Sequence, residues 1–300
     1  MSNQAESVKT VSVIIATAGN SNRAESLKAA ISSIEQQETI TARIVVVFNG
    51  PNVSADLFAD ISRMPGVDVK VLSTANLPSA LNFGRQCVET DYFCFLDDDD
   101  VYLPHALEVR CRALSQNVHI DVVTTNGQVK SADATVTLLP DELAVETAPM
   151  EELLRQNWLP SCGGLYRAST VGDEYFRRDT KYFEWTMTAF LLAFDRKVMY
   201  LNDSTFIINE TSDSLSASIE YLEAYPQVLN KMLEFPVKRT IRTVIRERKS
   251  NALHAVSVAH HERGNNRKAW WFHLRSLMCP GGVRFFAYSR HLFFRLPVGD

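Results

Sequence analysis

The chain has 300 residues, 31 Lys and Arg against 35 Asp and Glu for a formal net charge of −4, and a hydrophobic fraction of 46%. That is the composition of a globular protein with room for one large domain or two modest ones, and it excludes disordered, collagen-like and coiled-coil classes. The five cysteines, Cys87, Cys94, Cys111, Cys162 and Cys279, form no Cys-x-x-Cys pair, which argues against a disulfide framework or a zinc site and for free thiols in a reducing compartment.

From the start, Met1 to Thr10 is polar with no apolar core, and no apolar run approaches the ~18 residues of a membrane span. The expected location is cytoplasmic. Val11 to Thr17 is a β-branched strand; a small polar loop follows, and Ala24 to Gln37 has helical spacing at Leu27, Ile31 and Ile34. Ile44 to Phe48 is a second buried strand, stopped by Asn49-Gly50-Pro51-Asn52. A helix near Ser54 to Arg63, a strand at Val67 to Leu72 and a helix at Ser79 to Val88 continue the alternation. Such alternation means βαβ units and a mostly parallel sheet.

Tyr92-Phe93-Cys94-Phe95-Leu96 reads as a strand buried on both faces, and it runs directly into Asp97-Asp98-Asp99-Asp100. A bare acidic run is more often a solvated turn or a structural calcium loop. A buried strand immediately before it favours another reading, because the carboxyl ends of strands in an open α/β sheet are where ligands bind. Adjacent hard oxygen ligands suit Mg2+ or Mn2+, whose coordination is commonly shared with substrate phosphates. No glycine-rich dinucleotide loop and no Walker lysine motif is present, so a metal ion would have to neutralise any phosphate bound here.

A helix from Pro104 and a strand at Ile120 to Thr125 follow; past Asn126 the alternation breaks down. Ser131 to Leu139 reads as a strand or hairpin and Met150 to Asn157 as a short helix. Ser161 to Tyr166 is a strand whose Gly163-Gly164 pair admits another backbone or a ligand. Lys181 to Phe194 is an aromatic-rich helix with one internal acid, Glu184. An isolated carboxylate among aromatics is suited to general-base work, and equally to capping the first turn of its helix. Val198 to Leu201 and Phe206 to Asn209 are strands, and Thr211 to Ser218 is a polar loop. From Ser218 the chain reads as helical, with a pair at Asn251 to His261 and Asn266 to Met278 and an aromatic, basic segment from Val283 to Leu296. The three histidines His254, His260 and His261 lack metal-ligand spacing.

Charge is distributed unevenly. Val237 to Asp300 carries thirteen bases against three acids, +10, while the first 236 residues sum to −14. A basic tail on an acidic body suggests an anionic partner surface. Residues 283–296 have the composition of an interfacial helix on anionic lipid, and equally of a helix packed on the body with its arginines outward.

These residues together resemble family 2 glycosyltransferases of the GT-A fold. Ser12 to Thr17 resembles the family's opening strand, Arg23 to Leu27 its first helix start, Val45 to Gly50 its second strand and turn, Leu77 to Gly84 the segment before the signature strand, and Phe95 to Asp100 with Leu103-Pro104 the D-x-D signature. The resemblance covers roughly Val8 to Ser218. It implies a Rossmann-like, mostly parallel sheet flanked by helices over 1–218, with a C-terminal helical, basic region over 219–300. It also implies inverting, metal-dependent transfer from a nucleotide-diphosphate sugar to a glycan or lipid-linked acceptor in surface polysaccharide or glycan assembly, with no nucleic-acid partner.

By position, Asp99 with Asp97 would hold Mn2+ or Mg2+, and Asp97 alternatively contacts the ribose. Thr17 and Asn49 would line the base pocket, Asn82 and Asp98 would contact the donor, and Asp100 would neighbour its sugar. Glu184 would be the base. Asn49 stands where the family usually has an Asp, Leu81 replaces a frequent Arg, Trp185 replaces the second acid of a Glu-Asp pair with Asp179 a weaker candidate, and Thr211 stands where many members have a metal-binding His. Two other readings remain open: a sugar nucleotidyltransferase, which would need a basic glycine-rich loop after the first strand, and a GT-A-like scaffold that binds without turnover.

Overall fold

The computed structural model describes residues 10–177, 180–210 and 218–293. They fall into two compact units, one of residues 10–177 with 184–210 and one of 180–183 with 218–293.

The first unit is built on one sheet. Its strands are β1 (Thr10–Thr17), β2 (Thr41–Asn49), β3 (Val67–Leu72), β4 (Tyr92–Phe95), β5 (Val101–Tyr102), β6 (Val122–Lys130), β7 (Thr135–Thr137), β8 (Gly164–Arg167) and β9 (Val198–Asn209), in the order β3-β2-β1-β4-β8-β6-β9-β5 with β7 beside β6. The helices are α1 (Ala24–Glu35), α2 (Ala55–Ser62), α3 (Leu77–Gln86), α4 (Ala106–Gln116), α5 (Pro149–Leu153) and α6 (Glu184–Asp195). The expected α/β sheet flanked by helices is therefore present. Its first half is parallel, with Val13 opposite both Ile44 and Cys94. Direction changes at β8, which runs antiparallel to β4 and to β6, while β6 and β9 are parallel again.

Burial explains this order. β4 sits inside the sheet with all four residues buried, and its neighbour β1 buries Val11, Val13, Ile14 and Ile15 completely. Each fully buried aliphatic or aromatic side chain of this size contributes about 1.5–3 kcal/mol of transfer free energy. The glycine pair expected to admit a close neighbour does so. Gly163 lies against the Pro160 ring and the Thr125 carbonyl, and Gly164 lies under the Tyr166 hydroxyl, so the visitor is β6 backbone and a side chain of β8 itself.

Some boundaries differ from expectation, each for a local reason. The two strands expected around Asn202-Asp203-Ser204 are one, because β9 carries these exposed polar residues through register shifts against β6. The helix expected from Lys181 starts at Glu184, since Phe183 N–H closes a turn onto the Thr180 carbonyl (2.7 Å) and Tyr182 adopts a left-handed φ of 72°. The strand expected from Ser161 starts at Gly164.

The second unit holds α7 (Ile219–Leu233), α8 (Arg239–Glu262), α9 (Asn266–Leu277), a 3-10 stretch at Gly282–Tyr288 and α10 (Ser289–Phe293). The long α8 begins twelve residues before the helix read from Asn251, because Ile241 and Ile245 extend its buried stripe through a basic stretch. α8 and α9 meet through small residues: Ser250 Oγ donates to the Ser276 carbonyl (2.9 Å) and Ser257 Oγ to the Ala269 carbonyl (2.7 Å). Phe183 of this unit stacks on Tyr225 at 5.0 Å. Among the described residues no helix is long and apolar enough to cross a membrane.

Candidate functional site

Leu96 N–H donates to the Ile14 carbonyl (3.0 Å), extending the β4 ladder by one residue, and the chain then turns, with Asp100 N–H bonded to the Asp97 carbonyl (3.2 Å). The four carboxylates thus emerge in one tight turn at the carboxyl end of a central buried strand. None is in bulk water: Asp100 is buried and the other three are partly buried.

The turn is pinned from several elements. Thr17, the buried last residue of β1, donates its hydroxyl to Asp98 and accepts from Gly19 N–H at 3.0 Å. Arg23, at the start of α1, is ion-paired to Asp99 and lies 3.6 Å from Asp98. Asn209, at the end of β9, donates its backbone N–H to Asp100 (3.0 Å) and its side-chain amide to the Asp99 carbonyl (2.7 Å). Cys162 Sγ donates to the other Asp100 oxygen at 3.1 Å.

The electrostatics follow from crowding negative charge where water is scarce. Burial, and then the charge of Asp100, push the Asp97 carboxyl up to about 8 against the pull of the Ser161 hydroxyl. Burial raises Asp100 as well, opposed by the Cys162 and Asn209 donors, and raises Asp98 against the Thr17 and Arg23 contacts. The Asp99 hydrogen bond lifts Arg23 above its ordinary value. Among the described residues, Arg23 is the one cation ion-paired to this turn, so four carboxylates face a single positive charge.

This surplus fits a divalent cation. Asp97, Asp100 and Cys162 bring ligand atoms within 4.8 Å of one another. The buried Cys162 thiol is held far above its ordinary pKa by burial and by the neighbouring aspartates, so it is a proton donor to Asp100 rather than a thiolate ligand. What remains is a set of carboxylate oxygens, the donor type of Mg2+ and Mn2+.

The other expected residues lie on neighbouring strand ends and helices. Asn49 is buried at the end of β2, level with Leu72 of β3, and the next residue, Gly50, turns with φ 111° against Ala75. Asn82 sits on α3, and its side-chain oxygen is buried with no partner among the described residues. Two residues on, Gly84 lets α3 approach β1 so closely that a Cβ there would meet Ile14 at 2.4 Å. Glu184 heads α6, and the next residue, Trp185, packs edge-on to Phe95 of β4 at 5.2 Å, two residues before Asp97. Asp179 and Thr211 lie outside the described residues.

Three participants were not singled out for this site by sequence. Cys162 and Asn209 are distant in the chain and reach the turn only through β8 and β9, so no local pattern marks them. Arg23 was legible as a helix-start residue but not as the counter-charge of Asp99.

The sequence matches the family described as Glycosyl transferase family 2 over residues 12–190. No curated protein matches it. Among solved structures the chain is similar to S. aureus TarS 1–349, at 15% identity and a TM-score of 0.59, covering 85% of this chain and 82% of that one. It is also similar to the same protein in complex with UDP-GlcNAc, at 15% identity and a TM-score of 0.61 (83% and 80% covered), and in complex with UDP, at 15% identity and 0.58 (79% and 70%).

Proposed function

The chain belongs to glycosyl transferase family 2, and from that premise we propose that it transfers a sugar from a nucleotide-diphosphate donor to an acceptor hydroxyl with inversion. The observation that carries this reading is the turn of four carboxylates at the end of β4, three of them lifted in pKa and, among the described residues, sharing the single cation Arg23. That the similar TarS structures include UDP-GlcNAc and UDP complexes supports a nucleotide sugar as donor.

In this reading Asp99 and Asp97 would hold Mn2+ or Mg2+, with Asp100 clustered beside Asp97, and the bound ion would offset charge developing on the leaving diphosphate. Thr17 and Asn49 flank the nucleoside, and Asn82 contacts the donor from α3. Asp98 orients this side of the pocket through Thr17, and Asp100, held by Asn209 and Cys162, supports the turn beside the donor sugar. Glu184 takes the acceptor's hydroxyl proton. The acceptor oxygen bonds the anomeric carbon on the face opposite the leaving group, and the electron pair of the breaking C–O bond passes to the diphosphate oxygen.

A panel of nucleotide sugars assayed for hydrolysis and transfer with and without Mn2+ tests the proposal. Asp99→Ala should lower turnover by at least about a hundredfold with the fold intact, and Glu184→Gln should lower transfer by roughly 10²–10⁴-fold while donor binding stays. Undiminished transfer in Asp99→Ala overturns the metal role.

Two observations favour a second reading, a scaffold that binds without turnover: Asp99 is already ion-paired by Arg23, and Trp185 follows Glu184 in place of a second acid. Calorimetry with UDP and Mn2+ separates the two, since the scaffold predicts no metal-dependent nucleotide binding.

A further inference from the structure

In an ordinary surface helix the apolar stripe faces the core. α9 is turned the other way. Its buried face is Ala269, His273 and Ser276, small or polar residues that sit against α8 or bond within their own turn, while Trp271, Leu274 and Met278 are 59%, 51% and 86% exposed. These three positions, three, four and seven residues apart, share one face. The exposed apolar surface continues past the helix. Val283 and Phe286, at the eclipsed i, i+3 spacing of the 3-10 stretch, are 79% and 67% exposed, and Phe293 stands edge-on to Trp270 at 4.6 Å.

The stretch that forms this surface carries one sign of charge, although Lys268 is paired to Glu223 of α7 (3.2 Å). From Arg263 to Phe293 the chain carries six Lys and Arg and no Asp or Glu. Arg267 and Lys268 border the apolar stripe one turn before Trp271, and the Arg275 guanidinium lies 5.5 Å over the Trp271 ring. Two copies docked through this face would bring their like charges together, which is costly. A nucleic acid could stack on Trp271 and Phe286 but would leave Leu274, Met278 and Val283 in water, since a base and phosphate backbone offers these aliphatic side chains no apolar medium. A bilayer with anionic headgroups satisfies both components, taking the apolar side chains at the acyl boundary and leaving the arginines at the phosphate level.

We propose that the exposed face of α9, continued by the 3-10 stretch and α10, is a docking surface for the interface of an anionic bilayer. The surface expected from sequence over 283–296 is thereby centred one helix earlier. Residues 294–296 of that expectation lie outside the described residues. The inference is independent of the donor chemistry, and its test reads lipid binding rather than transfer.

The full-length chain is sedimented with vesicles of phosphatidylcholine alone and of phosphatidylcholine doped with phosphatidylglycerol. The wild type should bind the doped vesicles and release from them as salt rises. Replacing Trp271, Leu274 and Met278 together by Ser should weaken that partition by roughly a hundredfold, from the lost apolar burial. Arg267→Gln with Lys268→Gln should weaken it roughly twentyfold and reduce its salt dependence. Both variants should keep the wild-type circular dichroism and melt within about 2 °C of the wild type, because the altered side chains are exposed and the one pair lost, Lys268 with Glu223, is at the surface, and both should bind UDP as the wild type does if the donor reading holds. Equal vesicle binding by the triple variant overturns the proposal, as does wild-type binding that ignores phosphatidylglycerol. A wild-type dimer that the triple variant turns into a monomer also overturns it, assigning the face to a second copy.

Discussion

Asp97 carries the sharpest pH signature in the molecule. In an unfolded chain its carboxyl titrates near 3.9, and in the folded chain burial and Asp100 lift it to about 8. A group whose folded pKa is raised favours the folded state while protonated, so its contribution is complete below about pH 4 and is lost as pH climbs through about 8. The ion-free protein should therefore lose thermal stability from about pH 4 up to about pH 8 and level off above it. If a divalent ion binds in place of those protons, the gain in Tm on adding Mn2+ should be larger at pH 8.5 than at pH 6, by a few °C for a chain of this size. Equal gains at both pH values in scanning calorimetry would mean that the acids are already ionised. Arg23 supplies the opposite test. Its pair with Asp99 is about one-third exposed, so screening limits what it contributes, and Arg23→Gln should cost the ion-free protein about 1 kcal/mol. Added Mn2+ should close most of that gap, which a melt series in the two conditions measures.

At the scale of elements, the turn can hold carboxylates only because the helices and strands around it approach closely. α3 reaches β1 and β2 through Gly84, where a Cβ would stand 2.4 Å from Ile14 and 3.4 Å from Val47. Gly84→Ala should push α3 outward, costing about 1–3 kcal/mol in overpacking and displacing Asn82, so that melting temperature and nucleotide affinity fall together. Gly66→Ala is the control. There a Cβ meets nothing within 4 Å and the strain is in φ (77°) alone, so about 1 kcal/mol of stability should go with no change in affinity. The same elements explain what could be read in advance. β1, β2 and β4 are largely continuous apolar runs and β3 an alternating one, all separated by turn chemistry, so their existence could be read from that pattern. β8 and β9 were harder, since a four-residue strand and a strand bent through exposed Asn202 to Ser204 carry little periodicity. Cys162 and Asn209, which hold Asp100, come with them.

For the whole molecule, charge and burial divide along the chain. The sheet unit concentrates carboxylates around one turn, and the helical unit carries the acid-free stretch from Arg263 to Phe293. Composition made that asymmetry visible, but not the inverted face of α9, because the spacing of Trp271, Leu274 and Met278 is also that of an ordinary core stripe. Only the small buried partners Ala269, His273 and Ser276 reveal which side is inside. If donor binding belongs to the sheet unit, ligand should stabilise that unit by mass action, about 2.7 kcal/mol at a hundredfold excess over Kd. Amide exchange with UDP and Mn2+ should then slow in β1, β4 and β9, whose ends carry Thr17, Asp97 and Asn209, while amides of α8 and α9 exchange at their ligand-free rates. Vesicles should give the converse pattern, slowing α9 and leaving β4 unchanged. Protection of α9 by nucleotide alone would mean that the two units respond as one cooperative body, and the assignment of donor binding to the sheet and lipid contact to the helices would then fail.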